Sequence, residues 1–275
     1  MNIQSLDSDL GRSVLRMERP LPHPVHAVWR ALTDRAVLAR WFPADLRIDD
    51  PMPGGKVVFD FGAGERAMIG MVTDFEPPRL LAYTWEGDHL RWQVRPGALT
   101  LAHTFDDRAG AASFAAGWHT CLRILAAELA GLPAPEAEDT AELHDAFVNE
   151  FGLDEPEFGP GSVRLERQLT RSAELVWREL TAGLQVRADG PVPAGFTCGP
   201  IPAGNVAEVE PERRLLYYTP DGTVAWELGE GTGQGARLVL THSGTSAAGR
   251  ELAASAWREH LRRLADRLRR LPAEG

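Results

Sequence analysis

The sequence is poor in the residues that mark several large classes of protein. Cysteine occurs only twice, at Cys121 and Cys198, far apart and outside any CxxC spacing, so neither a disulfide framework nor a zinc site is indicated. The sequence has no run of about 18 apolar residues, and its first residues are polar and acidic. We therefore expect no membrane span and a protein of the reducing cytoplasm.

Basic residues are in the minority. Lys and Arg together number 29 against 39 Asp and Glu, which gives a formal net charge of −10. A surface of that sign repels phosphate backbones, so we do not expect nucleic acid as a partner. The glycine-rich run from Gly229 to Gly235 has strand-like segments on both sides, whereas a dinucleotide-binding loop is followed by a helix. No third ligand accompanies His23 and His26, so we expect no metal and no cofactor.

The sequence contains one unit twice. Four blocks recur in the same order, with residues 18–33, 72–83, 99–103 and 118–125 matching residues 166–181, 206–217, 238–242 and 257–264. The offset between copies falls from 148 to 134 after the first block, so the second copy lacks 14 residues of the first. We predict a first domain at 12–131, a linker with a short helix at 132–161, and a second, truncated domain at 162–271.

Each unit has the pattern of an α+β fold. It opens with an alternating strand, after which Pro24 begins one short helix and Asp34 caps another. Short alternating runs broken by turns then predict an antiparallel meander, and a long amphipathic helix containing Trp118 ends the unit. The pattern predicts a curved antiparallel sheet around a long C-terminal helix.

Several segments of the first unit resemble a known family. Residues 24–42, the Glu76-Pro77 turn within 72–81, residues 101–105, and Gly117-Trp118 at the last helix are similar to the Hsp90-ATPase-activator-like branch of the START/Bet v1-like (SRPBCC) helix-grip superfamily. The second unit keeps the Trp177 segment and the Trp257 helix but has no counterpart of Trp41-Phe42. The resemblance implies a deep apolar cavity between sheet and helix, which different relatives use for binding, ring cyclisation or chaperone contact.

Aromatic residues are concentrated in the first unit, which holds five of the eight tryptophans. Aromatic side chains bury large areas, and cavities lined by them suit flat or polycyclic ligands. Ordinary core packing is the alternative, especially for Trp29 and Trp118, which recur in the second unit. The candidate cavity residues are Trp41, Phe59, Phe61, Met71, Tyr83, Trp85, Trp92, His103 and Trp118.

The histidines leave two interpretations open. His103 and His242 occupy equivalent strand positions, and period-2 counting places His103 on the apolar face. A buried imidazole there is either a structural residue or a group that orients a ligand or acts as a general base. His119 and His260, on the last helices, are expected to face solvent.

The leading hypothesis is a non-enzymatic protein that binds a hydrophobic, aromatic or polyketide-like small molecule in the first unit. The tandem arrangement and the Arg-rich sequence, with Lys56 as the single lysine, resemble START-type proteins of actinobacterial natural-product pathways, including enediyne biosynthesis and self-resistance. A polyketide cyclase or aromatase and an Hsp90-associated co-chaperone-like module are the alternatives. No catalytic residue can be assigned from the sequence.

Overall fold

The structure, a computed structural model, describes residues 2–62, 64, 66–233 and 235–272. The chain divides into two compact units. The first consists of Met1–Ala111 and Ala115–Asp139, and the second of Ala112–Phe114 and Thr140–Gly275.

The described residues of the first unit form an antiparallel sheet of eight strands. The strands are β1 (Ile3–Asp9), β2 (Arg12–Pro20), β3 (Asp45–Ile48), β4 (Lys56–Asp60), β5 (Met68–Glu76), β6 (Leu80–Trp85), β7 (Asp88–Arg95) and β8 (Ala98–Phe105). They lie in the order β1-β2-β8-β7-β6-β5-β4-β3. The sheet is therefore a meander from β3 to β8, extended by the N-terminal hairpin.

Three α-helices accompany this sheet: α1 (Val25–Thr33), α2 (Arg35–Leu38) and α3 (Ala111–Leu129). Pro24 precedes α1, and the Asp34 carboxylate accepts hydrogen bonds from the amides of Ala36 at 2.9 Å and Val37 at 3.4 Å, which caps α2 as predicted. The long helix α3 buries Trp118, Leu122 and Leu125.

The second unit repeats most of this plan. Its elements are α4 (Thr140–Glu150), β9 (Glu157–Gly159), β10 (Ser162–Gln168), α5 (Ala173–Thr181), β11 (Val206–Glu210), β12 (Arg214–Thr219), β13 (Gly222–Glu230), β14 (Ala236–Ser243) and α6 (Ala247–Arg269). The six strands described lie in the order β11-β12-β13-β14-β10-β9, and α6 packs on β10.

Comparison of the two units confirms the predicted tandem helix-grip fold and the truncation. Strands β11 to β14 correspond to β5 to β8, and β10 corresponds to β2. Among the described residues between α5 and β11, nothing corresponds to β3 and β4, and only a short 3₁₀ helix, Ala194–Phe196, is present. The second unit therefore lacks one wing of the sheet.

The domain boundaries differ from those proposed from the sequence. Strand β1 precedes residue 12 and pairs with β2 along its whole length, although its polar sequence gives no strand signal. Within 132–161, both α4 and β9 group with the second unit. Phe147 of α4 is buried, and the buried Asp154 pairs with Arg167 at 3.3 Å and with Arg262 at 2.6 Å. Most of the expected linker is therefore part of the second unit.

Gly70 of β5 marks a point where no side chain fits. A Cβ atom there would overlap the carbonyl oxygen of Thr84 and press on the ring of Phe59. The absence of a side chain at residue 70 therefore lets β5, β6 and the Phe59 ring approach closely. Gly117 of α3, by contrast, has open space around its Cα.

We expect Gly70→Ala to destabilise the protein by about 1–3 kcal/mol, because the backbone of β6 or the Phe59 ring must move. Gly117→Ala is the matched control and should be neutral or stabilising by about 1 kcal/mol, since alanine favours a helix interior. Urea unfolding followed by tryptophan fluorescence measures both changes. Equal stability of Gly70→Ala and wild type would contradict the close approach.

Candidate functional site

Most of the predicted cavity residues form one cluster of aromatic rings inside the first unit. Trp85 lies at its centre, with ring centroids 5.1 Å from Phe59 and 5.8 Å from Phe61, both stacked, and 6.1 Å from Trp118. Phe59 lies on β4, Phe61 directly follows that strand, Trp85 ends β6, and α3 supplies Trp118. The rings pack against one another, so they form one continuous aromatic cluster.

Phe42 belongs to this cluster, although the sequence analysis did not select it. Its ring centroid lies 5.9 Å from that of Trp85, 5.8 Å from that of Trp118 and 6.5 Å from that of Phe59. The Trp41-Phe42 pair was noted in the sequence analysis, but the helix before it is too short for its hydrophobic periodicity to show which ring faces inward. Both side chains are buried.

Trp41 and Trp92 are fixed by hydrogen bonds of their indole groups. Trp41 Nε1 donates to the carbonyl of Ala31 in α1 at 3.0 Å, and its ring packs edge-on against Trp92 at 5.7 Å. Trp92 Nε1 donates to the hydroxyl of Tyr83 at 3.0 Å. Burial raises the pKa of Tyr83 far above its ordinary value, so this phenol stays neutral.

Both ring nitrogens of His103 are engaged. Trp118 Nε1, which can only donate, lies 3.1 Å from His103 Nδ1, so Nδ1 accepts and Nε2 carries the proton. Nε2 then donates to Asp88 Oδ2 at 2.8 Å. The imidazole is buried. With neither nitrogen free, the neutral ring has no lone pair available for a substrate proton, which favours the structural interpretation.

Met71 lies apart from the cluster. Its residue on β5 pairs with Lys56, whereas the inner face of β5 is marked by Gly70 and Val72, and the Met71 side chain is about half exposed, at 49%. Because side chains alternate along a strand, Met71 points to the opposite face of the sheet from Phe59. It does not line the aromatic interior that the sequence analysis proposed.

A groove of about 440 Å³ opens beside the cluster. Phe42 and Phe61 contribute the aromatic part of its wall, and Asp45 and Asp60 lie at its polar rim. Arg35 pairs with Asp45 through two hydrogen bonds of 2.9 and 2.5 Å, which lowers the pKa of that carboxyl. Phe61 and, behind it, Trp85 are half-buried, so the aromatic surface reaches this groove.

The interior of the second unit is built differently. Phe196, from the 3₁₀ helix, packs edge-on against Trp177 and Trp226, each at 5.3 Å. Tyr217, the counterpart of Tyr83, donates its hydroxyl to the carbonyl of Phe196 at 2.9 Å. Thr219 stands where the first unit has Trp85. The second unit thus closes its interior with a loop residue instead of the β3–β4 wing.

The histidine of the second unit has lost its acidic partner. Trp257 Nε1 lies 3.4 Å from His242 Nδ1, which repeats the first unit's bond, but Nε2 of His242 has no partner among the described residues. Gly222 occupies the position equivalent to Asp88. Burial lowers the pKa of His242, and the nearby Asp221 opposes that shift.

Two further observations concern the described residues. His260 is buried, and its Nε2 forms a hydrogen bond with the carbonyl of Gly195 at 2.8 Å, so the prediction that it faces solvent is wrong. His119 pairs with Glu138 at 3.1 Å.

In the part of the chain that the structure describes, no group of three or more His, Cys, Asp or Glu side chains could hold a metal ion. No helix there is long and apolar enough to cross a membrane.

The sequence matches one protein family in both units. The family described as Activator of Hsp90 ATPase homolog 1-like protein matches residues 22–130 and 177–269, which together are more than half of the chain. The chain belongs to this family. No curated protein matches it.

Several solved structures are similar to this protein. A conserved protein of Enterococcus faecalis, EF2215, has 19% identity and a TM-score of 0.48 over 54% of this chain and 89% of its own. CalU16 of Micromonospora echinospora has 18% identity and a TM-score of 0.42 over 55% and 95%. DynU16, a protein of the dynemicin biosynthetic locus, has 21% identity and a TM-score of 0.39 over 93% and 98%.

We expect Asp88→Ala to destabilise the protein by about 1–3 kcal/mol, because the buried Nε2–H of His103 loses its acceptor. Asp88→Asn keeps a carbonyl oxygen and should cost less. Asp106→Ala is the control, since the Asp106 side chain is mostly exposed and its pair with Arg12 should contribute at most about 1 kcal/mol. Chemical denaturation measures the stability of each variant. Equal losses of stability in Asp88→Ala and Asp106→Ala would show that the buried imidazole does not depend on the Asp88 carboxylate.

The lowered pKa of His242 predicts a loss of stability in acid. The unfolded state binds a proton near the ordinary imidazole pKa of 6.5, whereas the folded state resists it, so the unfolding free energy should fall as the pH drops below 6.5. His242→Gln should reduce this slope, measured by denaturation from about pH 7 to pH 5. The exposed His26 serves as control, and an equal change of slope in His26→Gln would refute the assignment.

Proposed function

We propose that the protein binds a hydrophobic, aromatic small molecule at the aromatic cluster of its first unit and holds it without transforming it. The observation that carries this proposal is the groove of about 440 Å³ walled by Phe42 and Phe61, behind which Trp85 and Phe59 continue the aromatic surface. This volume is within the range of small-molecule sites, and aromatic walls favour flat rings.

The contrast between the two repeats supports a specific role for this surface. Phe42, Phe59 and Phe61 come from segments that have no counterpart among the described residues of the second unit, and Trp85 is replaced there by Thr219. The second unit nevertheless packs a complete core around Trp226 and Trp257. The rings of the β3–β4 wing are therefore not required for the part of the fold that both units share, and we propose that ligand binding is their role in the first unit.

The polar groups of the interior favour binding over catalysis. His103 uses both nitrogens within the protein, and Tyr83 remains a neutral phenol that accepts from Trp92. A cyclase would need an available base or acid at the substrate. A flat polycyclic compound such as a polyketide is the ligand class that we propose, with sequestration or transport as the role and a natural-product pathway as its setting.

A neutral aromatic probe tests this proposal. N-phenyl-1-naphthylamine fluorescence should increase saturably with the full-length protein, and Phe61→Ala should weaken the affinity by about 2- to 10-fold through the loss of one aromatic contact. Trp85→Leu should weaken it similarly.

Phe158→Ala is the matched control, because Phe158 is an aromatic residue of the second unit that is half exposed and lies on the short strand β9. Its affinity for the probe should equal that of wild type. Absence of saturable binding by wild type, or an equal loss in Phe158→Ala, would overturn the proposed site.

A further inference from the structure

A second concave site lies on the first unit, on the opposite face of β7 from the aromatic cluster. It is a groove of about 680 Å³ at the corner where β5 turns into β6, and three arginines, Arg79, Arg91 and Arg95, line it together with Gln93. Arg91, Gln93 and Arg95 alternate along β7 with the buried Trp92, so their side chains share the outer face.

The backbone brings Arg79 to the same place. Its amide donates to the carbonyl of Glu76 at 2.7 Å across the β5–β6 turn, and its carbonyl accepts from the amide of Val94 at 2.8 Å. The second bond fixes the turn to β7 beside Arg95. The arginines therefore converge because the sheet places them together, although Arg79 and Arg95 are 16 residues apart.

The groove carries an excess of positive charge. Asp74 holds Arg91 through an ion pair of 3.2 Å, and Glu76 also lines the groove. No carboxylate among the described residues pairs with Arg79 or Arg95, both of which are exposed. Three guanidinium groups face two carboxylates, in a chain whose formal net charge is −10. An anion bound here would therefore balance a local charge of opposite sign to the rest of the molecule.

Helix α1 adds to this charge. Val25, its first residue, lines the groove, the first turn contains no acidic residue, and no side chain caps the helix. The amides of a first helical turn have no partner within the helix and carry a partial positive charge. The arginines and this helix end thus favour the same kind of ligand.

The second unit shows that the fold does not require these arginines. At the positions equivalent to Arg91 and Arg95 it has Ala225 and Gly229, and Glu227 replaces Gln93. Only Arg79 has a basic equivalent, Arg213. Arg214 stands there in place of Leu80, but its guanidinium group pairs with Glu208 at 2.9 Å and with Glu227 at 3.8 Å. The same corner of the second unit thus lacks the excess of positive charge.

We propose that this arginine groove binds a small molecule through a phosphate group. Guanidinium groups bind phosphate oxygens by paired, charge-assisted hydrogen bonds, and the two arginines without partners suit a dianion. The volume accommodates a phosphorylated small molecule. The acidic remainder of the protein disfavours a long polyanion, which separates this ligand class from nucleic acid.

Inorganic pyrophosphate is the probe for the test. Isothermal titration of the full-length protein at low ionic strength should show saturable binding at one site. The double variant Arg79→Gln/Arg95→Gln should weaken it roughly tenfold or more, because two charge-assisted contacts are lost. Both side chains are exposed, so the variant should keep the thermal stability of wild type. Binding of N-phenyl-1-naphthylamine should not change, since that probe tests the other face of the sheet.

Arg213→Gln is the matched control, because Arg213 occupies the equivalent exposed turn of the second unit. It should bind pyrophosphate like wild type. A loss of affinity equal to that of the double variant would mean that only the overall charge matters, and it would overturn the site. No saturable binding by wild type would overturn it as well.

Discussion

A hydrogen bond from a tryptophan indole to a buried histidine joins the long helix to the last strand in each unit. Trp118 donates to His103 at 3.1 Å in the first unit, and Trp257 donates to His242 at 3.4 Å in the second. Each pair spans the layer between helix and sheet, where the largest side chains of the core lie. In the first unit, Phe42 and Trp85 pack against the indole ring of Trp118, which this bond holds in place. The geometry of the aromatic cluster therefore depends on this bond.

The duplication separates what the fold needs from what the first unit adds. Both copies keep the helix-to-sheet bond, a buried tyrosine on β6 or β12 and a buried tryptophan on β7 or β13. The first copy alone adds β3 and β4, with the rings that reach a groove. Membership of the family accounts for the shared part, whereas the added rings and the arginine groove distinguish the first unit within one chain.

Repetition made the order of the elements and the truncation predictable, because the matching blocks recur in the same order. The α+β class and the Asp34 cap were predicted from local patterns, and the helix-grip fold from the family resemblance. Strand β1 was missed because its mostly polar residues do not alternate with apolar ones and so give no pattern of a half-buried strand. It is a strand because it pairs with β2. Most residues of the aromatic cluster could be predicted from the sequence, but their contacts with one another could not. Phe42 faces inward through a turn too short for periodicity, Met71 faces outward through register, and the carboxylate beside His103 comes from 15 residues earlier.

The environment of Gly222 bears on how the two copies diverged. A side chain at this position would begin inside the carbonyl group of Ser243, so no single exchange at residue 222 can supply the carboxylate that the first copy has at Asp88. The start of β13 would have to move away from the end of β14 before an acid could be accommodated. An acid beside His242 therefore requires a different backbone as well as a different residue at 222, which comparison of the two histidines alone would not reveal.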